Sequence, residues 1–359
     1  MTSRLASALQ HELDRWQLFA PCLGANVTIV APVLGTWNGA SGYADADSRA
    51  PMPAGGLFYV YSITKTFTAI RILQLAEQAV LSLDDPITRH FPKLPFPSAV
   101  TIRALLNHTG GVPSYTGLPA YLPAVRARPS EPWSYEEVLA LTCQGRLDFA
   151  PGTGWGYSNT GYMLLLRLIE ELTRESFARS IERGVVRPLG LTRTSVAEEI
   201  DQGALVPGYS RDLNDAQAME NVISRYHPGW CRTGLIISTT EEIARLYRGL
   251  FDGQLVSAAS LRAMTAWTST GDPRFFFKRP GYGLGLMLDP DWGFGGLYGH
   301  GGFGPGCNTW AMHVADFHGE SLTLVVFCNT SLGSHPFYLV KDLVRVLEDV
   351  HIDSNRKTG

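Results

Sequence analysis

The chain predicts an α+β fold, a β-rich lobe built from both chain ends and interrupted by a helical lobe. Three observations carry that expectation. Apolar stretches at 27–30 and 34–37, separated by a proline-containing break, read as paired strands early in the chain. From 81 to about 200 the pattern is helices separated by Pro/Gly loops, with no alternating strand signal of any length. Strand candidates then return at 234–239, 282–288, 308–314 and 322–327. The expected bounds are 1–80 and 200–350 for the α/β lobe and 81–200 for the helical lobe. Residues 351–359 read as a polar tail, and all of it belongs to one domain of 359 residues. A cleft between lobes is where a small-molecule site belongs.

Each element has its own signal. Leu5, Leu9, Leu13 and Trp16 share one face of an amphipathic helix, unlike the basic-then-apolar pattern of a secretory leader, so a cytoplasmic location is expected. Residues 38–43, Asn-Gly-Ala-Ser-Gly-Tyr, read as loop and turn. An apolar run over 57–61 ends at Ser62, after which Ile63, Phe67, Ile70 and Leu73 recur at helical spacing. A helix from about Ser62 to about Gln78 follows from that. Further helices are expected at 102–106, 135–143, 162–172, 177–185 and 240–251, with a closing helix at 338–350.

Composition excludes several classes. A hydrophobic content of 45% with 18% charged residues is that of an ordinary globular chain. The formal net charge is −3 and no basic patch is interleaved with aromatics, which argues against nucleic acid. No apolar run reaches the length of a membrane span. The five cysteines, at 22, 143, 231, 307 and 328, are scattered and show no C-x-x-C or Cys/His metal spacing. Neither a metal nor another cofactor is expected.

Chemistry concentrates where the helix after the apolar run begins. Ser62 falls in its first turn with Lys65 three residues on, one face of a helix and within reach of each other. First-turn N–H groups and the helix dipole favour negative charge on whatever Ser62 attacks. S-x-x-K by itself is a weak signal, and Ser354-Asn-Arg-Lys357 repeats it in the polar tail. Two glycine-rich stretches supply the context. Pro151-Gly-Thr-Gly-Trp-Gly-Tyr-Ser-Asn-Thr-Gly161 presents Tyr157 and Asn159 in alternation, so both can face one side. Tyr298-Gly-His-Gly-Gly-Phe-Gly-Pro-Gly-Cys307 is too glycine-rich for a strand interior and suits a close approach of backbone to a ligand.

The triple Ser62-Ile-Thr-Lys65, Tyr157-Ser-Asn159 and His300-Gly-Gly302 resembles the penicillin-recognising serine hydrolases. It is closest in pattern to the class C β-lactamase branch with its esterases, D-aminopeptidases and D-amino-acid amidases. Leu105-Leu-Asn-His-Thr-Gly-Gly-Val-Pro113, Pro151-Gly-Thr, Tyr157-Ser-Asn-Thr-Gly-Tyr162, Pro188-Leu-Gly-Leu191 and Gly234-Leu-Ile-Ile-Ser-Thr239 match that family's phrasing in order, over roughly 20–350. The resemblance implies the β-lactamase/transpeptidase-like fold, an antiparallel sheet flanked by helices from both chain ends with the site in the cleft. The related S-x-x-K enzymes close their site with a Lys-Thr-Gly strand. Here Lys357-Thr-Gly359 ends the chain and His108-Thr-Gly110 lies in the helical region, so His300-Gly-Gly302 is the counterpart. A histidine there replaces a permanent ammonium with a group that can be neutral.

By that resemblance the reaction is acyl transfer. Ser62 attacks a carbonyl, and Lys65 or Tyr157 takes its proton, the choice being open from sequence. Tyr157 would also protonate the leaving group, and Asn159 would orient Lys65 and touch the acyl side. His300 and Gly302 would contribute to substrate binding, and the backbone N–H groups of Ser62 and Phe303 would form the oxyanion hole. Tyr115 stands where the family's lactamases carry a glutamine that holds the acyl amide. Trp155, Trp230, 275–277, Trp292 and Phe303 could build an apolar pocket. The expected substrate is a small ester, or an amide or short peptide of a D-amino acid, with weak β-lactam hydrolysis. The alternatives are an acyltransferase using the same acyl-enzyme, a true class C β-lactamase or D-alanyl-D-alanine carboxypeptidase, and a non-catalytic acyl-binding module. Oligomeric state is not legible.

Overall fold

The computed structural model describes residues 1–214, 216, 218–271, 277–331 and 336–358. The chain opens with α1 (Ser3–Phe19), β1 (Gly24–Ala31), β2 (Gly35–Gly42) and β3 (Phe58–Tyr59), then a 3₁₀ turn at Tyr61–Ile63. There follow α2 (Thr64–Glu77), α3 (Ile102–Leu106), α4 (Tyr121–Ala127), α5 (Tyr135–Thr142), α6 (Asn159–Thr173) and α7 (Phe177–Ile181). Next come β4 (Ser195–Val196), β5 (Tyr209–Ser210), β6 (Glu220–Asn221), β7 (Ile236–Ser238), α8 (Thr240–Phe251) and α9 (Ala258–Met264). The last part holds β8 (Thr268–Ser269), β9 (Gly281–Tyr282), β10 (Met287–Asp289), β11 (Leu297–Gly304), β12 (Cys307–Phe317), β13 (Glu320–Cys328) and α10 (Pro336–Thr358).

Eight of the strands form one antiparallel sheet in the order β2-β1-β13-β12-β11-β10-β9-β8, so strands from both ends of the chain meet at its centre. The strand period of two then divides the side chains. Val27, Ile29, Met312, Val314, Leu324 and Val326 face the layer of α1 and α10, against Leu9, Leu13, Leu343 and Leu347. Ala311, Val325 and Phe327 face the opposite core with Phe67 and Ile70 of α2, Leu164 and Leu168 of α6 and Ile243 of α8. Both faces are covered, which is why the run 322–327 is apolar at nearly every position. This is the α+β architecture that the sequence predicts, an antiparallel sheet flanked by helices from both chain ends.

α2 is buried on every side from Thr64 to Leu73, as suits a helix packed in the middle of a core rather than on its surface. Its buried Arg71 donates to Ser180 Oγ at 2.8 Å, which offsets part of the desolvation of that side chain.

The structure corrects the reading at several places. Residues 38–42 are strand and not turn: they pair with β1, Asn38 opposite Thr28, and a Cβ on Gly39 would lie 2.3 Å from the Trp37 ring that covers it. The glycine-rich stretch after Tyr298 is likewise strand, β11, because backbone pairing with β12 outweighs composition. The strand expected at 282–288 is broken in two, with Gly285 at φ +73 in the connecting turn. α4, which contains Pro123, and the short α9 carry too weak a periodicity to be foreseen. The closing helix runs on through Thr358, where a polar tail was expected.

Candidate active site

Ser62 sits in the tight 3₁₀ turn between β3 and α2. The residue before it, Tyr61, has φ 45, a left-handed conformation that costs a bulky side chain roughly 1–3 kcal/mol. Distant parts of the chain hold the turn there. The Val60 N–H donates to the Ile236 carbonyl at 2.9 Å, which ties the turn to β7. From β12, Thr309 Oγ1 donates to the Val60 carbonyl at 3.1 Å and Cys307 Sγ to the Tyr59 carbonyl at 3.1 Å. The Tyr61 hydroxyl donates to the Pro305 carbonyl.

Lys65 Nζ lies 3.1 Å from Ser62 Oγ. It donates to Asn159 Oδ1 at 2.8 Å and to Thr233 Oγ1 at 3.0 Å. The side chain is fully buried, and that burial pushes its pKa down from 10.5 to about 7. Its amine faces the rings of Tyr157, 4.8 Å from the centroid, and Tyr162, 5.4 Å away, and among the described residues no carboxylate offsets that burial. Asn159 opens α6. Its Nδ2 donates to Thr116 Oγ1 at 2.8 Å and its backbone N–H to Ser114 Oγ at 3.1 Å, so the residue is held through both side chain and backbone.

Tyr157 precedes α6, its phenol hydrogen-bonded to Ser62 and its pKa raised by burial, so it is a protonated phenol at neutral pH. Its ring packs 4.4 Å from that of His108, centroid to centroid. The sequence reading treats His108 as a false match to the Lys-Thr-Gly counterpart. In the fold it is a buried support: Nδ1 accepts the Ser158 N–H at 3.1 Å.

These groups face a cavity of about 310 Å³ whose wall includes Ser62, Tyr157, Asn159, Trp155, Tyr282 and Phe303. Gly301, Phe277 and Met287 also line it. β11 passes so close to the Ser62 turn that a Cβ on Gly302 would lie 2.1 Å from the Val60 carbonyl and 2.3 Å from Thr309 Oγ1. His300 is on the same strand but fully buried behind the cavity wall, with Nε2 2.8 Å from the Tyr282 hydroxyl and Nδ1 2.6 Å from the Gly301 carbonyl. Burial pushes its pKa down to about 3, so the imidazole is neutral.

Tyr115 is also buried and turns away from the cavity: its hydroxyl donates to the Trp230 carbonyl and accepts the Arg232 N–H, both at 3.1 Å. Of the aromatics singled out in the sequence, Trp155, Phe277 and Phe303 stand on the cavity wall. Trp230 packs in the core against Trp133 with centroids 5.5 Å apart, and the partly buried Trp292 packs against Phe337 at 5.2 Å. Phe275 and Phe276 lie outside the described residues. Thr233 and Tyr282 are parts of the site that sequence reasoning missed. Thr233 stands one residue before the quoted Gly234 motif, with no pattern of its own, and Tyr282 was read as ordinary strand.

Comparison with known proteins gives a consistent picture. A family model described as Beta-lactamase matches residues 22–346. Penicillin-binding protein 4* of Bacillus subtilis (strain 168) is 29% identical over 294 residues, covering 77% of this chain and 62% of that protein. Protein flp of Staphylococcus aureus (strain COL) is 27% identical over 197 residues, 54% of this chain and 38% of that protein. The chain thus spans less than two thirds of the length of these curated relatives. A D-stereospecific amidohydrolase from Streptomyces sp. superposes with a TM-score of 0.82 at 28% identity, over 94% of this chain and 97% of that one. The D-amino acid amidase from Ochrobactrum anthropi SV3, complexed with D-phenylalanine, gives 0.83 at 26% identity, over 98% and 100%.

Proposed function

This chain belongs to the Beta-lactamase family, and from that premise we propose that it is a serine hydrolase that cleaves a D-amino-acid amide or short peptide, or a small ester, through an acyl-Ser62 intermediate. The observation that carries the reading is the pairing of Ser62 Oγ with an amine 3.1 Å away whose pKa is lowered to about 7. An amine so poised is free of its extra proton near neutral pH and can accept one. Tyr157, its pKa raised by burial, keeps its proton and is the donor available to a leaving group.

The steps follow. The Ser62 hydroxyl gives its proton to Lys65 as Oγ bonds to the substrate carbonyl carbon. The resulting oxyanion is met by the backbone N–H groups of Ser62 and Phe303; losing one such donor typically costs about 3–4 kcal/mol of barrier. As the intermediate collapses, Tyr157 protonates the departing amine or alcohol and Lys65 returns its proton to the phenol. Water then repeats the cycle on the ester of Ser62. Asn159 orients the amine and faces the acyl group.

On the wall of the cavity, Trp155, Phe277, Met287 and Phe303 suit an apolar side chain, in keeping with neighbours that carry D-stereospecific amidohydrolase and D-amino acid amidase in their names. Among the described residues no Lys, Arg or His lines it, and His300 behind it is neutral, so a β-lactam carboxylate finds no fixed cation. Weak β-lactam turnover is the corollary.

Intact-mass spectrometry with p-nitrophenyl esters, D-aminoacyl amides and nitrocefin, beside the Ser62→Ala variant, tests this. A transient adduct that Ser62→Ala lacks, with esters or D-amides turned over fastest, is the expected result. Turnover that survives in Ser62→Ala would sink the reading, and nitrocefin turnover rivalling that of the esters would reassign the subclass.

A further inference from the structure

Thr233 lies between the 3₁₀ turn at Pro228–Cys231 and β7, and is buried. Its hydroxyl accepts from Lys65 Nζ at 3.0 Å and donates to Asn159 Oδ1 at 2.8 Å, while Lys65 Nζ donates to the same Asn159 oxygen at 2.8 Å. The three groups close a triangle whose proton directions are determined. A hydroxyl has one proton, and here Asn159 Oδ1, a pure acceptor, takes it. Toward Lys65 the Thr233 oxygen therefore acts as an acceptor.

A neutral amine has two N–H bonds and one lone pair. Asn159 Oδ1 and Thr233 Oγ1 take the two N–H bonds, which leaves the lone pair for the remaining neighbour, Ser62 Oγ at 3.1 Å. With only one of the two acceptors present, the amine could turn about its Cε–Nζ bond and present an N–H to Ser62 instead. We propose that Thr233 is a positioning residue that aims the Lys65 lone pair at the Ser62 hydroxyl and thereby sets the rate of acylation. The proposal rests on the reading of Ser62 as nucleophile and Lys65 as its base.

The turn that carries Thr233 is built to hold it still. On its N-terminal side the Arg232 N–H donates to the Tyr115 hydroxyl at 3.1 Å, which is what buried Tyr115 contributes here. On the other side a Cβ on Gly234 would stand 2.7 Å from Cys231 Sγ and 3.0 Å from Tyr61 Cα, so the chain lies flat against the nucleophile turn. The titratable groups facing the amine are Tyr157, Tyr162, Cys231 and the imidazoles of His108 and His300. The side chain of Thr233 carries no charge, so its effect on Lys65 is that of one hydrogen-bond acceptor.

The test is stopped-flow acylation by a p-nitrophenyl ester, followed across pH, in Thr233→Val, Thr233→Ala and Thr233→Ser. Val and Ala are expected to slow acylation by about 10–100-fold, within the range of misaligned general-base catalysis. Their pH–rate midpoint moves to lower pH, because the ammonium loses an acceptor that favours it. Ser keeps the hydroxyl and stays within about threefold of the parent. An unmoved midpoint in both Val and Ala, unchanged rates, or a Ser variant as slow as Val overturns the proposal. Should Val not fold, the Ala and Ser pair decides by the same criteria. Activity that persists in Ser62→Ala would strike the premise instead, whereas a dead Ser62→Ala beside a fully active Thr233→Val strikes this inference alone.

Discussion

The hydroxyl of Tyr282 stands 2.8 Å from Nε2 of His300, and their proton is the phenol's. The His300 Nδ1 is 2.6 Å from the Gly301 carbonyl, which can only accept, so Nδ1 carries the imidazole hydrogen and Nε2 receives the one from Tyr282. The pair is a neutral, buried join between β9 and β11, the strands on either side of β10.

Protonating that join breaks it. The pKa of His300 falls from 6.5 to about 3 on folding, so between those values the folded state binds fewer protons than the unfolded state. Stability is therefore lost as pH falls from 6.5 toward about 3, and His300→Gln is expected to flatten that loss in urea titrations. Buried His108 and His313 shift the same way and keep some slope. Tyr282→Phe, which strands Nε2, should lose about 1–3 kcal/mol at neutral pH. A His300→Gln variant with an unaltered acid slope would refute the assignment.

Lys65 is shifted in the same direction, and its neutral form is the one that serves catalysis. With its pKa lowered to about 7, kcat/KM for an ester should rise through pH 7 and then level. Lys65→Met should abolish turnover and remove a buried charge. The parent's stability climbs between about pH 7 and 10.5, where its folded state holds fewer protons than its unfolded state. The variant lacks that climb, so Tm measured for both across pH should show the parent gaining on it over this window. Parallel Tm curves would contradict a depressed lysine.

Gly302 is a steric prediction. A Cβ there meets the Val60 carbonyl and Thr309 Oγ1, so Gly302→Ala must push β11 away from the Ser62 turn. A loss of 10²-fold or more in kcat is expected, of the order seen when an oxyanion donor is displaced. Gly117, where a Cβ meets nothing within 4 Å, is the control, and Gly117→Ala should act as the parent does. Equal activity of the two variants would mean that the close approach is not needed.

The Ser62–Lys65 pairing was legible because their spacing is a local property: the 3₁₀ turn at Tyr61–Ile63 runs directly into α2 and brings residues three apart together. Ordered motifs brought Tyr157 and Asn159 to the same site. Thr233 was not legible, since its hydroxyl finds Lys65 across 168 residues of sequence and nothing local marks it. His300 was visible as a residue but not as a buried one; exposure depends on Tyr282 and on the depth of β11, which no pattern encodes. Glycines misled in β2 and β11, where neighbouring strands impose extended backbone on residues that favour turns when alone.

The place of β13 between β1 and β12 bears on how the chain is made. β1 and β2 leave the ribosome before the other strands of the sheet, yet the partner that covers the other edge of β1 begins only at Glu320. Until β13 emerges, an apolar edge with Val27 and Ile29 waits unpaired, the condition that invites holdase chaperones and intermolecular pairing. Synonymous codons that slow the ribosome before β13 would prolong that wait. Fragments cut upstream of Glu320 would leave β1 and β12 each without the strand that lies between them.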